Sequence, residues 1–313
     1  MMSELLKKKE FFQVDIDFSD NNAINLITDI ITYLGDYQLK KLLKEFNIDS
    51  NAVKLEIELI PDCYEVTAGQ NKENGTYKIK VCIGLVEFYF KMLRLFFILF
   101  MFDIKNQNQK IEKNKVISPE SLKNTANNIG TAYWKREFLN ISVFPELKIE
   151  NNQLDLFIKL LYSGLSFFIS HELGHIFIQD LNLDYKKSKI ISEEKSYEML
   201  KIYEETRKYK QKLIGNWNYE FKADNFGFLS NQENSSLISL GIILYFLFLK
   251  FCEIYFEKRY YKLKLNNWFS HPPSDLKLKN LFKLKKKIDR NHLKKLEYFE
   301  TSISKLLEKE INQ

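Results

Sequence analysis

The 313-residue chain has few of the residues that interrupt or cross-link a fold, with 10 glycines, 5 prolines and 3 cysteines. Scarcity of glycine and proline favours long helices with few forced breaks. Cys63, Cys82 and Cys252 are far apart and odd in number, which excludes a disulfide framework and a paired-cysteine metal site. A reducing compartment is therefore expected.

The N-terminus lacks the apolar core of a secretory signal, since its lysine-rich start turns polar at Asp15 and Asp17. Cytoplasmic residence is the corresponding expectation. Basic residues exceed acidic ones by 47 to 41, and the excess lies largely in the last sixty residues. Because no stacking motif or glycine-rich phosphate loop accompanies these lysines, they predict a solvated helix face, and no nucleic-acid partner is expected.

Long uninterrupted apolar runs are also missing. In 81–102 the charged residues Glu87, Lys91 and Arg94 share one helical face, which predicts a packed helix. In 237–256 the apolar run ends at Lys250, whereas a membrane span needs about 20 apolar residues. A buried helix is favoured there, and a membrane-associated helix is the alternative.

The composition, 45% hydrophobic and 28% charged, predicts a mainly α (α+β) fold with a sizeable core. Strand patterns occur only on the N-terminal side, at 54–60, 64–67 and 76–83, with Asn74-Gly75 as a turn signal. A small sheet of two or three strands is expected there. A polar connecting segment, 103–150, follows with one or two short helices.

A long helix is predicted over 151–180, and the sequence HELGH, from His171 to His175, lies near its end. Residues four apart on a helix share one face, so the two imidazoles converge on one point with Glu172 beside it. Imidazole nitrogens are good ligands for zinc. The alternative is a helix end at which the histidines only cap and pack.

A second acidic motif, YEFKADNFGF at 219–228, is also predicted to be helical. It places Glu220 and Asp224 four residues apart on one face, suited to a third metal ligand and to a carboxylate that orients a ligating imidazole. A surface salt bridge is the alternative for these two acids. Beside HELGH, the metal-site interpretation is favoured.

A third element, SHPPSDLKL, places His271 in extended backbone ahead of a helix, because two prolines follow it. In that position His271 could donate a hydrogen bond to the oxyanion of a hydrolytic reaction. A helix-entry residue without a catalytic role is the alternative.

These three motifs together resemble the zinc peptidases of the gluzincin group, in particular the branch that contains HtpX and the CAAX-processing proteases. That branch has HExxH, then ExxAD with a glycine beyond it, then HP followed by an arginine. Glu220, Ala223, Asp224 and Gly227 match the second motif, whereas Lys277 stands in place of the arginine. The resemblance covers roughly residues 155–281 and implies a zincin-like helical core.

A weaker similarity lies upstream, where a strand ending at 81–83 runs into Gly84-Leu85. In the same branch, a strand followed by Gly-Leu precedes the HExxH helix. The resemblance implies that this strand is a sheet edge to which a peptide substrate adds as an extra strand.

The chain also resembles the soluble phage-exclusion peptidases of the Lit type, which have a similar length and a HExxH site. That resemblance implies phage defence by cleavage of a host translation elongation factor, elongation factor Tu. It is the alternative to a general intracellular protein or peptide substrate. No residue pattern identifies the substrate or an oligomeric state.

The sequence thus predicts an N-terminal α+β region, 1–150, and a helical metallopeptidase region, 151–313. In the second region His171, His175 and Glu220 would hold Zn²⁺, Glu172 would act as general base, and Asp224 would orient an imidazole. The competing hypothesis is a non-catalytic metal-binding interaction protein. Glu172 argues against it, because a purely structural zinc site needs no acid beside an open position.

Overall fold

The computed structural model describes residues 9–51, 53–61, 68–108, 118–135, 142–145, 147–181, 211–231, 236–259, 272 and 274–284. These residues are mainly helical and include a small three-stranded sheet on the N-terminal side, which confirms the mainly α (α+β) class. The helices are α1 (Asn21–Glu45), α2 (Ile83–Asn108), α3 (Pro119–Lys135), α4 (Asn151–His175), α5 (Gln211–Ser230), α6 (Ser236–Arg259) and α7 (Ser274–Leu284). The strands are β1 (Leu55–Ile60), β2 (Ala68–Glu73) and β3 (Thr76–Cys82).

The sheet has the order β1-β3-β2, with β1 parallel and β2 antiparallel to β3. Asn74 and Gly75 form the two-residue loop between β2 and β3, and both have positive φ, at 49° and 78°. Such a loop matches the right-handed twist of paired strands, so the Asn-Gly turn signal is confirmed. The predicted strand at 64–67 lies outside the described residues.

The predicted location of the sheet edge is wrong. The strand that ends at 81–83 is β3, which is central: Val81 pairs with Leu59 of β1 on one side and with Ala68 of β2 on the other. Both of its backbone edges are therefore used within the sheet, and no peptide can add to it. Among the described strands, the outer ones are β1 and β2.

Helix α4 is the central element of the core. It packs against α1, α2, α5 and α6, and against β2 and β3. The apolar residues that predicted it are all buried, namely Leu154, Phe157, Ile158, Leu161, Leu165 and Phe168. Among the described residues, the segment Gln153–Ile178 is the one helix long and apolar enough to cross a membrane, and 78% of its apolar window is covered by the rest of the protein.

The two apolar stretches that predicted packed helices are packed. Helix α6 buries Ile242, Phe246 and Phe248 almost completely, which confirms a core helix there. Helix α2 buries its charged face as well as its apolar ones, since Glu87 and Arg94 are at most 1% exposed.

One continuous hydrophobic cluster spans both predicted regions, from Phe12 to Leu281. Apolar residues of α1 and β3 share it with those of α4 and α6. The division at residue 150 stays a prediction.

Candidate metal centre

The C-terminal turns of α4 bring the two histidines of HELGH together. His171 and His175 lie four residues apart on one helical face, and their Nε2 atoms are 3.2 Å apart. Both side chains are largely buried, with 13% and 11% of their surfaces exposed. Two imidazole nitrogens this close together can serve as two ligands of one metal ion.

Helix α5 supplies the third donor. Glu220 Oε1 lies 3.4 Å from His175 Nε2, and Glu220 Oε2 lies 3.6 Å from His171 Nε2. The donor atoms of His171, His175 and Glu220 all lie within 4.8 Å of one another, so this group could hold a metal ion. The sequence-predicted set therefore converges in space, although Glu220 lies 45 positions after His175 in the chain.

The separations also bear on coordination geometry. Ligands about 2.1 Å from an ion are about 3.4 Å apart in a tetrahedron and about 3.0 Å apart at the right angles of an octahedron. The three observed separations run from 3.2 to 3.6 Å. Two of them involve different oxygens of Glu220, and all three are of the size expected for donor atoms around one divalent ion.

Asp224 lies one helical turn after Glu220 and contacts the far side of His171. Its Oδ1 is 2.9 Å from Nδ1 of His171, and the carboxylate is 1% exposed. Burial alone would lower the pKa of His171, but the charges of Asp224, Glu172 and Glu220 raise it above its usual value. Because Asp224 occupies Nδ1, the Nε2 atom of His171 is directed at the ligand triangle.

Glu172 lies beside the triangle. Its Oε1 is 4.0 Å from His171 Nε2, and the residue is 7% exposed. The carboxylate therefore lies next to the ligand triangle without being one of the three donors of that group. His271, the predicted oxyanion donor, lies outside the described residues.

Lys277 was noted in the sequence, but no role could be predicted for it. In the structure its Nζ lies 3.2 Å from Asp224 Oδ2 and 3.6 Å from Glu220 Oε2. Its position in place of the arginine that follows HP in the resembled branch was the available signal, but only the packing of α7 against α5 shows which acids it contacts.

Small residues let α4 and α5 approach closely at the site. A Cβ atom at Gly174 would lie 3.1 Å from Ala223 Cα, and one at Gly227 would lie 3.0 Å from the Phe167 ring and 3.1 Å from the backbone nitrogen of His171. These distances are shorter than ordinary van der Waals contact. Gly174 and Gly227 therefore have a steric role: the absence of their side chains lets α5 approach α4 closely enough for Glu220 to reach the histidines.

Replacement of Gly227 by valine should weaken metal binding at least about tenfold, because the added side chain pushes α5 away from α4 at His171, as overpacked cores do at a cost of about 1–3 kcal/mol. Competition with a chromophoric chelator would measure the affinity. The matched control is Gly69→Val, since a Cβ atom at Gly69 meets nothing within 4 Å. Unchanged affinity in the Gly227 variant would show that close helix packing is not needed for the site.

A buried polar network behind the site was not foreseen from the sequence. Gln38 of α1 donates to Ser166 Oγ at 2.7 Å and to Asn231 Oδ1 at 2.9 Å, and Asn231 donates to Ser170 Oγ at 3.0 Å. Asn231 also donates to the Gly227 carbonyl at 2.7 Å. Hydrogen bonds between buried polar groups are stronger than those in water, so this network holds the end of α5 against α4, next to His171.

Comparison of the chain with protein-family models, with curated proteins and with solved structures finds no match. The functional assignment therefore depends on the chemistry of the site itself.

Proposed function

We propose that this protein is a zinc-dependent metallopeptidase that hydrolyses peptide bonds of a protein or peptide substrate. The observation that carries the proposal is the triangle of His171, His175 and Glu220 with Glu172 beside it. Two imidazoles and one carboxylate are a ligand set of catalytic zinc sites, in which a fourth position stays open for water or substrate.

His171, His175 and Glu220 would hold the ion. Zinc bound there would supply a Lewis acid for the substrate carbonyl and lower the pKa of a bound water toward neutrality. Asp224 keeps the His171 ring oriented through the 2.9 Å contact at Nδ1. The predicted role of His271, donation of a hydrogen bond to the developing oxyanion, belongs to the same proposal.

Glu172 would carry the proton in this reaction. As the water attacks the peptide carbonyl, the Glu172 carboxylate accepts one of its protons, and it then donates that proton to the leaving amine. The residue is 7% exposed, so bulk water has little access to the carboxylate. A non-catalytic metal-binding protein would have no use for an acid so placed, which favours the enzyme over that alternative.

The test begins with metal content. Protein prepared in zinc-containing medium should hold about one zinc per chain by elemental analysis, and His171→Ala should hold close to none, because three ligands are the minimum of such a site. The zinc-loaded protein is then incubated with cell lysate, and new peptide termini are mapped by mass spectrometry. New termini that vanish with a chelator and in the His171 variant are expected.

Two outcomes would contradict the proposal. Wild-type protein that takes up no zinc would exclude the metal site. Stoichiometric zinc without any new peptide terminus would favour the non-catalytic metal-binding protein. Termini confined to an elongation factor would support the phage-exclusion form of the proposal, in which the substrate is a translation factor.

A further inference from the structure

Lys277 is a buried lysine at the edge of the proposed metal site. It is 8% exposed, and its Nζ lies 3.2 Å and 3.4 Å from the two oxygens of Asp224 and 3.6 Å from Glu220 Oε2. Lysines are rarely buried unless a carboxylate pairs with them. Here two carboxylates do so, and one of them is a proposed metal ligand.

Helix α7 holds Lys277 in this position from both sides. Before it, the backbone nitrogen and hydroxyl of Ser274 donate to the Glu253 carboxylate of α6, at 3.0 Å and 2.6 Å. After it, Asn280 Nδ2 donates to Asn225 Oδ1 of α5 at 2.7 Å. These contacts fix the helix backbone on each side of Lys277, and the lysine side chain therefore starts from a defined position beside the two acids.

Three groups surround the ammonium group of Lys277. The Asp224 and Glu220 carboxylates lie within 3.6 Å of Nζ. The Phe246 ring, whose centroid is 5.6 Å from Nζ, adds a cation–π contact. The ammonium group therefore lies next to one oxygen of the ligand carboxylate.

Glu220 turns both of its oxygens toward the imidazoles, with Oε1 nearest His175 and Oε2 nearest His171. A carboxylate in this orientation could bind an ion through both oxygens, which would fill an additional coordination position. The cation near Oε2 opposes that mode, because a metal ion at Oε2 would meet a like charge at short range.

We infer that Lys277 keeps Oε2 of Glu220 as its own partner, so that Glu220 binds the metal through Oε1 alone and a coordination position stays open. Lys277 is thus a positioning residue that acts through Glu220. The inference rests on the proposed function only in requiring a metal ion at His171, His175 and Glu220.

Cobalt(II) in place of zinc provides a readout independent of activity, because four-coordinate cobalt absorbs visible light more strongly than five- or six-coordinate cobalt. In Lys277→Met, the freed Oε2 should join the coordination, and the visible absorption per bound ion should fall by about twofold or more. The affinity for cobalt should rise by about tenfold, because an oxygen is gained and a repelling charge is lost. A purely structural role for Lys277 predicts the opposite change in affinity.

Two further variants sharpen the test. Lys277→Arg retains the charge and should keep the intense wild-type spectrum. Lys279→Met removes an exposed lysine of the same helix, whose side chain is 60% exposed, and should leave both spectrum and affinity unchanged. Lys277→Leu, which likewise lacks both the charge and a hydrogen-bond donor, provides the same comparison should the methionine variant fail to fold.

A Lys277→Met or Lys277→Leu protein with the wild-type cobalt spectrum, or with weakened cobalt binding, would overturn the inference while leaving the proposed metal site intact. Wild-type protein that binds no cobalt would instead remove the metal site, and with it both proposals. The two failures are therefore distinguishable in one titration.

Discussion

Glu172→Gln should keep one zinc ion per chain and lose peptide hydrolysis by about 10²–10⁴-fold in kcat, the usual contribution of a general base. Zinc should be retained because Glu172 stands outside the triangle formed by His171, His175 and Glu220. Glutamine has the same shape as glutamate but cannot accept the proton of the attacking water. The loss corresponds to about 3–5 kcal/mol of transition-state stabilisation.

Elemental analysis would measure the zinc content. Steady-state kinetics on a synthetic peptide that spans a cleavage site mapped in the lysate experiment would measure kcat. The KM should change little, since the lost interaction belongs to the transition state. Glu58→Gln, which removes an exposed carboxylate of β1, is the matched control. A Glu172 variant that keeps a large part of the wild-type kcat would exclude Glu172 as the base, and one that loses its zinc would make Glu172 a ligand.

The helices of the metal centre could be predicted from the sequence because their signals are local. In α4 the apolar residues recur at helical spacing, and the four-residue spacing of His171 and His175 fixes their common face. The same spacing places Glu220 and Asp224 together on α5. What the spacing did not show is the reason that α4 and α5 approach so closely, which is the absence of side chains at Gly174 and Gly227.

The edge of the sheet could not be predicted because it depends on pairing between distant segments. Strand β2, with the sequence AGQNKE, has none of the β-branched or aromatic residues that favour strands. It is a strand because the Asn74-Gly75 turn folds it back onto β3. A strand that is specified by its neighbour leaves no pattern of its own, and the resemblance that implied an edge position for β3 carries no information about β2.

The charged face of α2 shows the same limit. The spacing of the charged residues was visible in the sequence. Their burial was not, because the groups that pair with them lie in distant parts of the chain. Arg94 donates to the carbonyl of Val143 at 2.8 Å and to that of Gln13 at 3.2 Å, and Lys91 pairs with Asp15 at 2.8 Å. These contacts join the segment before α1 to the segment before α4.

Glu87, on the same face, has neither carboxylate oxygen hydrogen-bonded, and burial raises its pKa to about 8 from an ordinary value of 4.5. The charge of Lys91 lowers the pKa and those of Asp15 and Asp17 raise it, but burial is the largest cause. Folded protein therefore holds a proton on Glu87 at pH values where the unfolded chain has released it. The contribution of Glu87 to the free energy of unfolding is therefore largest below about pH 4.5, and it is lost as the pH rises toward 8.

Glu87→Gln should remove this loss, because an amide does not titrate. The variant should match the wild type near pH 4.5 and exceed its free energy of unfolding at pH 8 by between about 2 and 5 kcal/mol. Urea denaturation of metal-free protein at a series of pH values would measure the difference, in which the titration of all other groups cancels. Glu58→Gln should follow the wild-type curve. Parallel curves for wild type and Glu87→Gln would mean that the Glu87 carboxylate is ionised in the folded protein and has a partner for its charge.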